Sequence, residues 1–259
     1  MGVFRFKRFE VVNERSAMKV NTDGVLLGAA MTVRPSDRRL LDVGTGTGTI
    51  ALMAAQRLDP AGRLGNDACP DGKGGAEGRA CIIDAIDIDE VSVDEAEANF
   101  SASQWKEFLR ARKASLEEFA ESLDEDVRYD LIFSNPPYFD DSLKAPQERR
   151  SNARHTSTGL SYRELLDFAS HRLSDEGRVS MVLPSETEAQ LCRHARMYGL
   201  HLFRLVRVRT VPRKAPSRII AEFGRARCTE PDELMLTIQN EGKYTEEYLS
   251  LTHDFYLFA

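Results

Sequence analysis

The chain has 259 residues, 42% of them hydrophobic and 29% charged, with a formal net charge of −6. That size allows one large α/β domain or two small ones around a well-buried core. The charge excludes a global attraction to nucleic acid, so any such partner must be held by a local basic patch.

Phe4, Phe6, Phe9, Val11 and Val12 read as short strands with a turn at Lys7 and Arg8, and Thr22 to Met31 as a short helix with Leu26, Leu27 and Ala30 on one side. Leu40 to Val43 is a short apolar strand running directly into Gly44-Thr45-Gly46-Thr47-Gly48, and a helix follows over Thr49 to Leu58. Asp59 to Arg79 breaks the pattern. Six of the 17 glycines fall there, with aspartates and two prolines. It reads as an inserted surface loop, because strand and helix alternate again on its far side.

Ile82 to Ile88 is the second strand and Val91 to Ser101 its helix; Arg110 to Ala114 and Leu131 to Ser134 are the third and fourth strands. A helix over Tyr162 to Leu173 precedes a fifth strand, Arg178 to Leu183. The spacing then predicts a helix over Glu186 to Tyr198 and strands over Leu202 to Val208 and Ile219 to Phe223. A late strand over Leu234 to Gln239 and a terminal helix from Thr245 to Phe258 complete the chain. Alternating strands and helices predict a mostly parallel sheet covered on both faces, in a single domain over 1–259.

Four cysteines lack a C-x-x-C pair and five histidines lack zinc-like spacing, so no metal is expected. The start of the chain carries neither an apolar signal core nor a myristoylation pattern, and no apolar run approaches membrane-spanning length. A cytoplasmic protein with no obligate protein partner is the expectation.

A strand ending in Asp-x-Gly-x-Gly-x-Gly and opening a helix is a nucleotide-site geometry. The glycines let backbone approach a ligand closely, and the helix start offers free N–H groups. NAD-type loops space their glycines G-x-G-x-x-G to seat a pyrophosphate. Here Gly44, Gly46 and Gly48 alternate and Asp42 stands just upstream. A carboxylate there repels a pyrophosphate but suits the ammonium group of a methionine moiety, directly or through water. A tight βα turn that binds nothing is the plain alternative.

An acid at the end of the next strand can accept hydrogen bonds from both ribose hydroxyls, usually about 20 residues on. Asp87 lies 39 residues beyond Gly48, or 18 once the 21-residue insert is set aside. Asp89 shares the strand face but sits where a helix N-cap is expected. Ile88 is a natural apolar cover for an adenine ring, and Ser115 and Leu116 are candidate contacts to its edge.

Asn135-Pro136-Pro137-Tyr138 follows the fourth strand, at the carboxyl end where open α/β sheets bind ligands. The Asn135 side-chain oxygen and the Pro136 carbonyl are two acceptors able to hold both hydrogens of an –NH2 group. That draws the nitrogen lone pair out of conjugation and aims it at a sulfonium methyl. The prolines fix φ and stiffen the pair, and Tyr138 can stack on a flat base. The alternative is a rigid turn with a packing tyrosine. Base and amide acceptors both fit the tetrapeptide.

Together these segments resemble the class I, Rossmann-like amino-methyltransferases. Ala17-Met18-Lys19-Val20-Asn21-Thr22-Asp23-Gly24-Val25-Leu26-Leu27-Gly28 and Tyr244-Thr245-Glu246-Glu247-Tyr248 with Asp254-Phe255-Tyr256-Leu257 are similar to the tRNA1(Val) adenosine-37 N6-methyltransferase family. The resemblance implies a seven-stranded sheet with its last strand antiparallel, S-adenosylmethionine as donor, and adenosine beside the anticodon of a valine tRNA as acceptor. It also implies that Thr22 and Asp23 lie near the methionine end of the cofactor, with Gly44, Thr45, Gly46 and Gly48 around it. Ser115 departs from the family, standing where many amino-methyltransferases carry an aspartate toward the adenine amine.

From Arg204 to Arg218 the chain carries six basic residues (Arg204, Arg207, Arg209, Arg213, Lys214, Arg218) and no acidic one. In an acidic protein this is a candidate RNA grip, which Arg149, Arg150, Arg154 and His155 can extend toward the tetrapeptide. The plain alternative is two solvated strand faces and a loop. A release-factor glutamine N5-methyltransferase remains open, since an amide nitrogen fits the same acceptors, although only about 40 residues precede the glycine loop. Methylation of guanine N2 in ribosomal RNA or of DNA adenine also remains open. The glycine spacing disfavours an NAD-dependent oxidoreductase, and a non-catalytic RNA-binding module leaves the tetrapeptide unexplained.

Overall fold

The computed structural model describes residues 2–16, 18–59, 81–137 and 160–259. Tyr138, Arg149, Arg150, Arg154, His155 and nearly all of the insert lie outside the described residues.

The strands with the most continuous apolar character take the centre of the sheet. β3 (Arg39–Val43) pairs in parallel with β4 (Ile82–Asp87) on one side and β6 (Tyr129–Ser134) on the other. β5 (Leu109–Lys113) extends one edge beyond β4, and β7 (Leu173–Pro184) lies beside β6. β9 (Arg218–Gly224) is inserted antiparallel between β7 and β8 (His201–Arg209). These are the seven strands expected, with β9, the last of them in sequence, antiparallel. The late strand joins the same sheet as β10 (Asp232–Thr237), parallel to β8 with Leu234 opposite Val206. The full order is therefore β10-β8-β9-β7-β6-β3-β4-β5, eight strands in all. The extra strand covers an edge of β8 that would otherwise present unpaired backbone groups.

Side-chain alternation along each strand divides the core in two. Leu40, Ile83, Leu131, Phe133 and Val206 face a cluster built with α1 (Thr22–Ala30), α2 (Thr49–Leu58), α3 (Glu90–Ala102) and α7 (Glu246–Thr252). Leu41, Ile86, Ile132, Val179 and Leu205 face the other cluster, with α4 (Leu116–Ser122), α5 (Tyr162–Arg172) and α6 (Glu188–Met197). The terminal helix expected from Thr245 to Phe258 stops at Thr252. Its end packs as irregular chain through Phe255 and Tyr256 instead. Among the described residues no helix is long and apolar enough to cross a membrane.

Near the N-terminus β1 (Val3–Arg5) and β2 (Glu10–Val12) form an antiparallel pair with Phe4 opposite Val11. Phe6 stacks on Phe9 at 4.5 Å, and Phe9 meets Trp105 edge-on at 6.0 Å. Polar side chains of α3 then fix the strand that leaves this pair. The Asn99 carboxamide donates to the Val12 carbonyl and accepts the Val12 N–H. The Glu95 carboxylate accepts the N–H groups of Glu14, Arg15 and Ser16 at 2.8, 2.9 and 3.0 Å. Burial alone would raise the Glu95 carboxyl, but these three donors hold it below the ordinary glutamate range.

Opposite the carboxyl edge of the sheet, Arg178 on β7 is almost fully buried and pairs with Asp37 through Nη2 at 2.6 Å and Nη1 at 3.0 Å. The same guanidinium donates to the carbonyls of Thr32 and Asp130, so one side chain ties the exit of α1 to β6 and β7. Asp37→Ala is expected to lower stability by about 3–5 kcal/mol in urea unfolding, because a buried cation is left without its partner. Replacing both residues by apolar ones of similar volume should cost less.

Candidate active site

The loop leaving β3 is held to the end of β4. The Ile86 carbonyl accepts the N–H groups of Gly44 and Thr45 at 2.9 and 3.0 Å, and the Asp87 carboxylate accepts the Gly46 N–H at 2.9 Å. Gly44, Gly46 and Gly48 all lie in the left-handed region, at φ 73°, 54° and 78°. A Cβ on Gly44 would meet nothing within 4 Å, and one on Gly46 nothing nearer than 3.8 Å. These two bare positions face open space. Gly48 is different: a Cβ there would lie 2.4 Å from the Phe100 ring, so its glycine serves the close approach of α2 to α3.

Beside the loop opens a cleft of about 250 Å³. Gly44, Gly46, Asp87 and Asn135 line it, with Ile86, Ile88, Ala114 and Leu116 as apolar walls. Ile88 is 56% exposed, so its side chain covers the cleft from outside. Asp89 caps α3, accepting the Ser92 N–H at 3.1 Å and its hydroxyl at 2.7 Å, as its position implied.

The two loop acids differ in environment. Asp42 is fully buried; the Thr45 hydroxyl donates to its Oδ2 at 2.8 Å, while Oδ1 has no partner. Burial pushes its carboxyl up to about 7, the Thr45 hydrogen bond opposes this, and the nearby Asp87 charge adds to it. Asp87 is also raised above the ordinary aspartate range by burial, offset in part by N–H groups of Asp89 and Gly46. An orphaned buried oxygen behind the loop, open glycine backbone, a carboxylate at the next strand end and an apolar slot together fit S-adenosylmethionine. Among the described residues no three His, Cys, Asp or Glu side chains gather as metal ligands.

Asn135, only 6% exposed, and Pro137 bring the end of β6 to the same cleft. The Asn135 amide donates to the Met18 sulfur at 3.9 Å. Met18 was not singled out from the sequence; it lines the cleft because Glu95 and Asn99 fix the chain just before it. Leu160 was missed too, and no local pattern marks it.

Comparison with known proteins places the chain among methyltransferases. The model of the RMKL-like methyltransferase domain family matches residues 29–210. The tRNA1(Val) (adenine(37)-N6)-methyltransferase of Parabacteroides distasonis is 41% identical over 256 residues, covering 98% of this chain and 97% of that one. The protein of the same name from Photobacterium profundum is 37% identical, with 98% of each chain covered. The chain belongs to the tRNA1(Val) (adenine(37)-N6)-methyltransferase family. Solved structures agree on the fold: a predicted O-methyltransferase from Agrobacterium tumefaciens has a TM-score of 0.57 at 13% identity, covering 90% of this chain and 96% of that one. The T. thermophilus 16S rRNA N2 G1207 methyltransferase has a TM-score of 0.52 at 16% identity, covering 87% of this chain and 50% of that one.

Three sequence expectations sit differently in this methyltransferase. Ser115 does not line the cleft. Its hydroxyl accepts the Glu118 N–H at 3.1 Å and its own N–H donates to the Glu118 carboxylate at 2.9 Å, a reciprocal cap that leaves Ala114 and Leu116 as the lining. Thr22 and Asp23 line a second depression rather than this cleft, and Asp23 accepts from Arg218 at 2.8 Å. The basic segment is also largely neutralised. Arg204 pairs with Glu222 and Asp232, and Arg207 with Glu188 and Glu233. Arg209 donates to Thr237 and the Pro212 carbonyl. Arg213 and Lys214 are exposed, with no ion pair among the described residues.

The raised Asp42 carboxyl has a stability consequence. Between its unfolded value near 4 and about 7 the folded state holds a proton that the unfolded state has lost, so stability falls as pH rises across that window. Urea unfolding of wild type and Asp42→Asn from pH 4 to 8 should show wild type losing on the order of 2–4 kcal/mol relative to the variant, complete above pH 7.

Proposed function

We propose that the chain transfers the methyl group of S-adenosylmethionine to the exocyclic N6 amine of adenosine in tRNA, with adenosine 37 of a valine tRNA as the target and residues 1–259 as one catalytic domain. The observation that carries the reading is the convergence of Asn135, Pro137 and the Gly44–Gly46 backbone on one cleft, in a chain 41% identical over nearly its whole length to a protein named for that reaction.

Gly44, Thr45, Gly46 and Gly48 would form the loop that holds the methionine end, and Asp42 behind it would supply negative charge once an ammonium group favours its ionised form. Asp87 retains acceptor capacity for a ribose diol, since a carboxylate offers about four lone-pair sites and its partners here are backbone N–H groups of Gly46, Asp89 and Ile88. Ile88 and Leu116, which line the same cleft, would supply apolar cover for the cofactor adenine. Bound there, the cofactor supplies a methyl group on a positively charged sulfur.

Asn135 and the Pro136 carbonyl accept the two N6 hydrogens of the substrate base and turn its nitrogen lone pair toward that methyl. Pro136 and Pro137 keep the acceptors fixed, so little reorganisation accompanies transfer. Tyr138 is assigned the stacking face for the target base from the tetrapeptide alone. No side chain needs to remove a proton first, because the methylated nitrogen is cationic and releases its proton to water afterwards. The rate gain rests on alignment of nitrogen, carbon and sulfur.

Methyl transfer from labelled S-adenosylmethionine to total tRNA, followed by nucleoside analysis, should give N6-methyladenosine. Asn135→Ala is expected to lower kcat/KM by about 10²–10³-fold while cofactor affinity stays within a few-fold of wild type. Label found only on protein would overturn the RNA reading in favour of glutamine N5 methylation.

A further inference from the structure

The second depression belongs to no part of the chemistry described so far. It is a polar cavity of about 350 Å³ on the same carboxyl edge of the sheet as the cleft, at the ends of β8 and β10 and the start of β9. Two of its walls come from the segments that carry the family-specific resemblance. Thr22, Asp23 and Leu26 come from the first, Tyr244 and Tyr248 from the last. More than 200 residues apart in sequence, they meet here and not in the cofactor cleft.

Its remaining walls are Ile238 and Gln239, just after β10, and the β8–β9 loop. Thr210 and Ser217 line the cavity, and between them stand Arg213 and Lys214, the two exposed cations of the basic segment without an ion pair among the described residues. Tyr244 is 41% exposed at the mouth, its ring set by stacking contacts with Tyr248 at 5.0 Å and Phe258 at 5.2 Å. The distance to the chemistry is bounded by the chain itself. Met18 lines the cofactor cleft and Thr22 lines the cavity, four residues on, so the two walls lie at most about 14 Å apart along that segment.

Resting on the RNA reading above, we propose that this cavity is the subsite for a nucleotide flanking the target adenosine. Tyr244 gives its base an aromatic surface, Thr210, Ser217 and Gln239 give polar contacts to base or ribose, and Arg213 with Lys214 neutralise the adjoining phosphates. An aromatic surface beside a cationic rim is the pairing that holds single-stranded nucleic acid. A loop whose target base has been turned into the Asn135 cleft presents its neighbour as such a strand.

The test is fluorescence-anisotropy binding of an anticodon stem-loop RNA to the full chain across a salt series, with methylation kinetics alongside. Arg213→Ala/Lys214→Ala should flatten the slope of log affinity against log salt by about 1.4, the loss of two single-strand phosphate contacts. Tyr244→Ala should weaken binding about tenfold, and Tyr244→Phe should restore it. In all three the KM for S-adenosylmethionine should stay unchanged while the KM for RNA follows the binding. Lys106→Ala, at the opposite edge of the sheet, is the control and should leave both unchanged. Thermal melts separate any loss of fold from loss of binding. RNA binding by wild type with slope and affinity unaltered in the variants overturns this inference alone. A wild-type chain that binds no RNA overturns it together with the proposed substrate.

Discussion

Two backbone donors on one carbonyl, Gly44 and Thr45 on Ile86, and a third on the Asp87 carboxylate join the loop after β3 to the end of β4. The rest of the site depends on that joint, because it fixes the glycine backbone relative to the acid without regard to the chain between them. That chain includes the insert. α2 carries the chain back to the other edge of the sheet, where Asp59 and Ile82 are anchored. The Asp59 carboxylate accepts the Trp105 indole N–H at 3.0 Å and its carbonyl accepts from Arg8 at 2.8 Å, while Ile82 donates to the Arg38 carbonyl at 2.8 Å. The loop and Asp87 keep the geometry that the parallel pairing of β3 and β4 dictates.

The joint has an energetic cost. It keeps two carboxylates in a region shielded from water, both raised by burial, one of them with an oxygen that has no partner. Compensation comes from polar groups fully satisfied nearby. Glu95 binds three consecutive N–H groups, Asn99 bridges Val12 and the Thr47 carbonyl at 2.9 Å, and the Thr47 and Thr49 hydroxyls pair at 2.9 Å. These contacts hold the N-terminal segment against the outside of the glycine loop. The unpartnered Asp42 oxygen remains behind the loop, where a cofactor's ammonium group would relieve it.

Much of this was legible in the sequence, and the parts that were not share a cause. Strand and helix periods located β3 to β9 and α2 to within a residue or two at most boundaries, because buried strands read as short apolar runs and α2 opens directly from the glycine loop. Asp87 was legible once the glycine-rich insert was set aside. Ser115 was misplaced because a serine three residues before a glutamate is equally a helix cap, and the cap took its hydrogen bonds. The basic segment read as uniformly cationic because its counter-ions come from other elements: Glu188 on α6, Glu222 on β9, and Asp232 and Glu233 on β10. A window along one strand contains none of its cross-strand partners. Met18 and Leu160 were invisible for the same reason, being placed by contacts made elsewhere in the chain.

That pairing of arginines changes how an acidic protein can meet RNA. A net charge of −6 gives the chain no global attraction for a polyanion, and the ion pairs along β8 add little attraction of their own. Within the basic segment the exposed cations that keep no ion pair among the described residues are Arg213 and Lys214 in the β8–β9 loop, each three residues from a residue that lines the cavity. Such a local opening in the field orients an approaching strand as well as attracting it. The opening lies on the edge of the sheet that carries the glycine loop and Asn135, so an RNA guided there arrives facing the acceptors for its amine. The chemistry and the choice of substrate thus occupy neighbouring sites on one edge. The first is built from the methyltransferase core, the second from the two terminal segments that fold back to meet beside it.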